Sequence, residues 1–181
     1  MKKTVIFAVL AAFLSASAAP VKNIYGWSTW QRKGDGGKFE RIKPTADLPQ
    51  GAMKFLPDPE KKRYNIVWYG ALKAAPTDRM RFIYTFRSSA ETNAGAVVTL
   101  KVNARNRSGA WYNQPLKDHA TATVAVEPGK TQEIALEVDL SKYEVPEIKT
   151  VCPMIGLTDL TSGEVTFTGL KVETVGAPAA K

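Results

Sequence analysis

The chain has very few residues that commonly carry chemistry: among its 181 residues there is one cysteine, Cys152, and one histidine, His119. A single cysteine excludes an internal disulfide, so the fold depends on its hydrophobic core. One cysteine and one histidine cannot form a zinc site, and no calcium-loop pattern of alternating aspartates is present. A nucleophile-elbow serine motif is missing too. The sequence therefore predicts a protein that is not an enzyme, with Cys152 as a buried thiol.

Long apolar runs are also missing, which excludes a membrane-spanning helix of about 20 residues. The apolar run at the N terminus extends over ten residues, from Val5 to Leu14. Lys2 and Lys3 precede it, and the small residues Ala16-Ser17-Ala18 follow it. This is the pattern of a secretory signal peptide. We expect residues 1–18 to be removed and the remainder to be periplasmic or secreted.

After residue 18, no segment has apolar residues at helical spacing. Short alternating segments are instead separated by turn residues about every 8 to 12 positions, which predicts an all-β sandwich. We expect one domain over residues 19–175 and a flexible tail over residues 176–181. Two irregularities stand out. Pro153 within a strand segment predicts an edge position or a bulge, and the change of apolar parity across Thr168-Gly169 predicts a β-bulge.

Two long alternating segments, residues 79–87 and 98–105, dominate the pattern. One parity is apolar and predicts a buried face, formed by Met80, Phe82, Tyr84, Phe86, Val98, Leu100, Val102 and Ala104. The other parity carries Arg79, Arg81, Arg87, Lys101, Asn103 and Arg105. If the segments pair as a hairpin, these cations gather on one exposed surface. Like charges opposite each other destabilise a sheet, so that surface needs acidic neighbours or an anionic ligand.

Three carboxylates, Glu133, Glu137 and Asp139, alternate along a later strand segment. Spacing in twos is typical of a solvated strand face, and these groups could neutralise the arginine surface. Glycoside hydrolysis requires a pair of carboxyl groups across a cleft. A small hydrolase is therefore a competing hypothesis, which needs Glu133 or Glu137 to face another carboxyl group.

Residues suited to binding a sugar are more numerous than residues suited to catalysis. Aromatic rings match the apolar face of a pyranose, and arginine and asparagine donate hydrogen bonds to hydroxyls and carboxylates. The predicted ligand-binding residues are Trp111, Tyr112, Tyr69, Arg81, Arg87 and Asn103. By contrast, we expect Trp27, Trp30 and Trp68 to belong to the core. The net charge of +8, or +6 without Lys2 and Lys3, favours acidic glycans as partners, since export argues against nucleic acid.

Two segments resemble those of a known family. The segment Ala75-Pro76-Thr77-Asp78-Arg79-Met80-Arg81-Phe82-Ile83-Tyr84-Thr85-Phe86-Arg87-Ser88, a proline turn before an aromatic strand, is similar to part of galactose-binding-like jelly-roll domains. A second segment is similar to the final strand of those domains: Ser162-Gly163-Glu164-Val165-Thr166-Phe167-Thr168-Gly169-Leu170-Lys171-Val172-Glu173.

The resemblance implies a jelly-roll β-sandwich of two antiparallel sheets and the role of a noncatalytic carbohydrate-binding module. Many such domains hold a structural calcium, but Thr168-Gly169 stand where acidic residues are frequent, so we expect no cofactor. A domain for protein interaction or envelope assembly, with a secreted or envelope protein as partner, is the alternative, because one fold hosts many functions.

Overall fold

The computed structural model describes residues 19–20, 24–31, 36–58, 60, 65–75, 78–105, 121–142 and 148–175. The described strands are β1 Ala19–Pro20, β2 Ser28–Gln31, β3 Lys38–Ile42, β4 Ala52–Leu56, β5 Asn65–Tyr69, β6 Leu72–Lys73, β7 Arg79–Ser88, β8 Val97–Arg105, β9 Thr121–Ala125, β10 Thr131–Asp139, β11 Thr150–Thr158 and β12 Val165–Val175. A 3-10 turn, Leu140–Lys142, follows β10. Within these ranges no helix has the length and apolarity needed to cross a membrane.

Several sequence predictions lie outside the described residues: the signal peptide over residues 1–18, the tail over residues 176–181, the loop aromatics Trp111 and Tyr112, and His119. The side chain of Trp30 is likewise not described, so its place in the core stays a prediction.

The strands form two antiparallel sheets of six strands each. Sheet A has the order β10-β7-β12-β4-β3, with β1 paired to β12. Sheet B has the order β2-β5-β11-β8-β9, with β6 paired to β11. The predicted all-β sandwich of two antiparallel sheets is confirmed.

The core lies between the sheets and is formed by the apolar parity of the strands. Met80, Phe82, Tyr84 and Phe86 of β7 are buried there, as are Val98, Leu100 and Val102 of β8. Each large apolar side chain removed from water in this way contributes about 1.5–3 kcal/mol. Trp68 and Cys152 are also buried, so both predictions of burial are confirmed.

The two long alternating segments, residues 79–87 and 98–105, do not pair as a hairpin, so the arrangement considered from the sequence is wrong. Strand β7 pairs with β10 and β12, whereas β8 pairs with β11 and β9. The connection between them crosses from one sheet to the other: the Ser89 N–H donates to the Glu164 carbonyl beside β12, and the Val126 N–H after β9 donates to the Ala96 carbonyl. The apolar faces of β7 and β8 therefore face each other across the core.

Pro153 lies in the central strand of sheet B, so the prediction of an edge position is wrong. Strands β5 and β6 pair with β11 in one continuous register, Tyr69 with Met154 and Lys73 with Thr150, but the ladder is interrupted at residues 70–71. The gap falls opposite Pro153, which has no N–H to donate. The β-bulge predicted at Thr168-Gly169 is confirmed by a register shift between Phe167 and Gly169.

Candidate functional site

On the outer face of sheet A, two of the three arginines of β7 have acidic neighbours, which is one of the two possibilities that the sequence left open. The Arg79 guanidinium contacts the Glu137 carboxylate of β10. Arg81 lies between Glu137 and Glu173 in register, with its Nη1 atom 3.6 Å from Glu173 Oε2. Arg79 and Arg81 thus have carboxylate partners on the neighbouring strands, whereas Arg87 is opposite Thr131 and Thr166. Such exposed pairs contribute little to stability.

The three carboxylates of β10 pair with neighbouring cations or accept hydrogen bonds from neighbouring groups. This agrees in part with the hypothesis that they neutralise the arginine surface. Glu137 pairs with Arg79, and Glu133 accepts a hydrogen bond of 3.3 Å from the Thr85 hydroxyl. Hydrogen bonding by Ser141 holds the pKa of the Asp139 carboxyl below its usual value. These carboxylates follow one strand on an open face, which is not the arrangement of two carboxyl groups facing across a cleft.

The predicted binding residues divide between the two sheets. Arg81 and Arg87 belong to β7 of sheet A, and their side chains are exposed on its outer face. Tyr69 of β5 and Asn103 of β8 lie on the two neighbours of β11 in sheet B. The four described residues therefore do not form one site, because two of them lie on each side of the sandwich. The structure brings together Tyr69 and Asn103.

Met154 of β11 lies between these two residues. Its register partners are Tyr69 on β5 and Lys101 on β8, and the Asn103 side-chain amide nitrogen is 3.2 Å from the Met154 sulfur. An aromatic ring, a thioether, an amide and an ammonium group are therefore adjacent on the outer face of sheet B. The sequence analysis missed Met154, because its neighbours follow only from strand pairing.

A cleft of about 350 Å³ adjoins Tyr69. It is lined by Gly26, Trp27, Ser28, Tyr69, Gly70, Ala71 and Cys152. Trp27 was expected in the core; it packs against the core and also lines this cleft, with its ring centroid 5.6 Å from that of Trp68. A Cβ atom on Gly70 would be 2.1 Å from the Trp27 ring. Glycine at this position therefore permits the close approach of the indole.

A second cleft, of about 480 Å³, lies farther along β11. It is lined by Lys73, Ala74, Asp78, Lys149 and Thr150. The first cleft includes Cys152 and the second includes Thr150, which are successive positions on the same face of β11. The two clefts therefore follow one another along the seam between β11 and the strands β5 and β6.

The two sheets differ in their balance of charge. The described strands of sheet A contain basic residues together with Glu40, Glu133, Glu137, Asp139 and Glu173. The described strands of sheet B contain Lys73, Lys101 and Arg105 but no aspartate or glutamate. In the part of the chain that the structure describes, no group of three His, Cys, Asp or Glu could hold a metal ion.

Behind the site, Tyr84 crosses the core with its hydroxyl buried and without a hydrogen-bond partner among the described residues. Burial, and to a smaller extent the Cys152 thiol, raise the pKa of the Tyr84 hydroxyl well above its usual value. Above about pH 10 the unfolded chain ionises this group and the folded chain does not. The free energy of unfolding should therefore be unaffected by Tyr84 below that pH and fall as the pH rises above it.

Tyr84→Phe should weaken this alkaline loss of stability. The measurement is urea unfolding of the native protein and the variant on both sides of about pH 10. The same alkaline decline in both proteins would contradict the prediction. Because the hydroxyl is unpaired, the variant should be at least as stable as the native protein at neutral pH.

No protein-family model matches the sequence, and no curated protein matches it. Solved structures do match its fold. The CBM22-1 and GH10 modules of a Clostridium thermocellum N-terminal endo-1,4-β-D-xylanase 10B, complexed with xylohexaose, are 12% identical, with a TM-score of 0.52 over 92% of this chain and 29% of that chain. The enzymatically active domain of bacteriophage CBA120 tailspike protein 4 is 9% identical, with a TM-score of 0.51 over 85% of this chain and 20% of that chain.

The module TmCBM61, in complex with β-1,4-galactotriose, is 13% identical, with a TM-score of 0.49 over 85% of this chain and 92% of that chain. The chain spans less than a third of the xylanase and tailspike structures, so it is similar to one part of each. At these identities the likeness concerns the fold. The chain has the β-sandwich fold that is found in carbohydrate-binding modules.

Proposed function

We propose that this is an exported, noncatalytic glycan-binding protein whose site is the outer face of sheet B. The observation that carries the proposal is the cluster of Tyr69, Met154 and Asn103 beside a cleft lined by Trp27. Aromatic rings offer a surface for the apolar face of a sugar, and the amide and ammonium groups can bond its hydroxyls. The sugar-complexed xylanase modules of similar fold support this proposal.

The charge distribution favours an acidic glycan. On sheet A the arginines Arg79 and Arg81 already have carboxylate partners. On sheet B the described strands carry basic residues and no acidic ones, so an anionic ligand would meet an excess of positive charge on these strands. The predicted preference for acidic glycans is therefore kept, but its source moves from Arg81 and Arg87 to the lysines of sheet B.

The test is a glycan array with the mature protein, followed by calorimetry on the ligands that bind. Tyr69→Ala should weaken binding by about 1–3 kcal/mol, as expected for the loss of a stacked aromatic ring. Trp111→Ala, in the connection between β8 and β9, should weaken it by a similar amount if the sequence prediction holds. Arg81→Ala, on the opposite sheet, is the matched control and should leave the affinity unchanged.

An array without a binding glycan would reject the proposal. Equal losses from Tyr69→Ala and Arg81→Ala would reject the assignment to sheet B.

A protein-interaction or envelope-assembly domain is the second candidate. The observation that favours it is Phe39, which is 40% exposed on β3, the strand at one end of the order in sheet A. An edge strand offers unpaired backbone groups to a partner chain, and an exposed aromatic adds apolar contact. Phe39→Ser would weaken such a contact and leave glycan binding unchanged.

A further inference from the structure

We infer that the second cleft is a subsite for the anionic group of the glycan, held by Lys73 and Lys149 at a distance from the aromatic end of the site. The inference rests on the proposed glycan-binding function. It identifies the residues that bind the anionic group of the glycan, and it sets the minimum size of the ligand.

The backbone fixes both lysines at the same corner of sheet B. Lys73 pairs with Thr150 in the β6–β11 ladder, and the Ala74 N–H donates a 3.0 Å hydrogen bond to the Lys149 carbonyl. Both lysine side chains are exposed and both line the cleft. A carboxylate or sulfate in the cleft could accept charge-assisted hydrogen bonds from the two ammonium groups. The Thr150 hydroxyl, also in the lining, could donate a further one.

Among the described residues that line this cleft, Asp78 is the one acidic residue, and it already has a structural role. Its Oδ2 atom accepts a 2.7 Å hydrogen bond from the Ala75 N–H, and its carbonyl accepts one of 2.8 Å from the Leu140 N–H. The carboxylate thus stabilises the turn that leads into β7. Two cations and one engaged carboxylate give the described lining of the cleft a net positive charge, which favours an anion over a cation.

The strand register sets the distance between the two ends of the site. Tyr69 is opposite Met154 and Lys73 is opposite Thr150, so the two positions are four residues apart along β11, about 13 Å. Gly70 and Ala71 lie between them along the chain, and both line the first cleft. A single sugar ring cannot cover this span. The ligand is therefore an oligosaccharide with a neutral face at Tyr69 and a carboxylate or sulfate at least one residue away.

The test compares charged and uncharged forms of the same chains. The probes are oligosaccharides of polygalacturonate, alginate, chondroitin sulfate and heparin, each with its carboxyl-reduced or desulfated counterpart. Calorimetry is performed on the native protein, Lys73→Gln, Lys149→Gln and the double variant. Lys171→Gln on the exposed outer face of sheet A is the charge-matched control.

We expect at least one acidic probe to bind more tightly than its neutral counterpart. Each single variant should weaken that binding about five- to tenfold and the double variant more, with the neutral counterpart and the control unaffected. Added salt should weaken binding of the acidic form alone. Binding of acidic and neutral forms with equal affinity, or equal losses for both in the lysine variants, would overturn the subsite. If no carbohydrate binds the native protein, in this panel or in the array, the proposed function itself fails.

Discussion

Trp68→Ala is expected to lower the free energy of unfolding by about 3–5 kcal/mol, the range for removing a large aromatic side chain from a core. Trp68 is fully buried on β5, and its ring packs against that of Trp27. Its loss removes apolar burial and leaves a cavity that the surrounding close-packed groups can fill only in part, by shifting inward. Equilibrium urea unfolding gives the change, provided that the transition stays two-state.

Two variants serve as controls. Tyr69→Ala changes the next residue of the same strand, whose side chain points out of the sandwich. It should therefore lower the free energy of unfolding far less. It should also weaken the proposed glycan binding. Trp68→Phe retains a ring and removes a buried indole N–H that has no hydrogen-bond partner among the described residues, so it should cost less than Trp68→Ala. A loss below about 1 kcal/mol for Trp68→Ala would show that this position is not a central part of the core.

Gly163→Ala is expected to lower the free energy of unfolding by about 2–6 kcal/mol. Gly163 has a φ of 70°, in the left-handed region, where a side chain costs about 1–3 kcal/mol. A Cβ atom there would also be 2.3 Å from the Thr92 backbone nitrogen, and overpacking of this kind costs about 1–3 kcal/mol more. The obstacle is backbone, so a change of side-chain rotamer cannot relieve it.

The effect should be large because this contact joins two loops at one end of the sandwich. The Thr92 hydroxyl donates to the Glu164 carbonyl at 2.8 Å, and the Asn93 side-chain oxygen accepts from the Thr161 N–H at 2.7 Å. The matched control is Gly129→Ala, which has the same φ of 70° but whose Cβ would lie 3.7 Å from Ala90. It should show the conformational cost alone. Equal losses at the two glycines, measured by thermal and urea unfolding, would contradict the steric explanation.

The alternation of apolar and polar residues in the sequence was enough to predict the main strands and the buried face of each. The alternation of Met80, Phe82, Tyr84 and Phe86 is a local property, since successive side chains of a strand point to opposite sides. The bulge beside Gly169 was predictable for the same reason, because the phase of the alternation changes there. The shortage of histidine and cysteine likewise limited the chemistry before any fold was considered.

Which strands are neighbours, and therefore which outward residues share a surface, depends on strand pairing in the folded protein. The alternation in residues 79–87 and 98–105 is equally compatible with a hairpin and with two strands in opposite sheets. Only the pairing of β7 with β10 and β12 placed Arg81 beside Glu173, and only the pairing of β11 with β5 and β8 placed Met154 between Tyr69 and Lys101. The alternation of apolar and polar residues reflects which side chains contact the core, whereas strand order depends on hydrogen bonds between distant segments. For that reason the proposed binding surface lies on sheet B rather than on the arginines of sheet A.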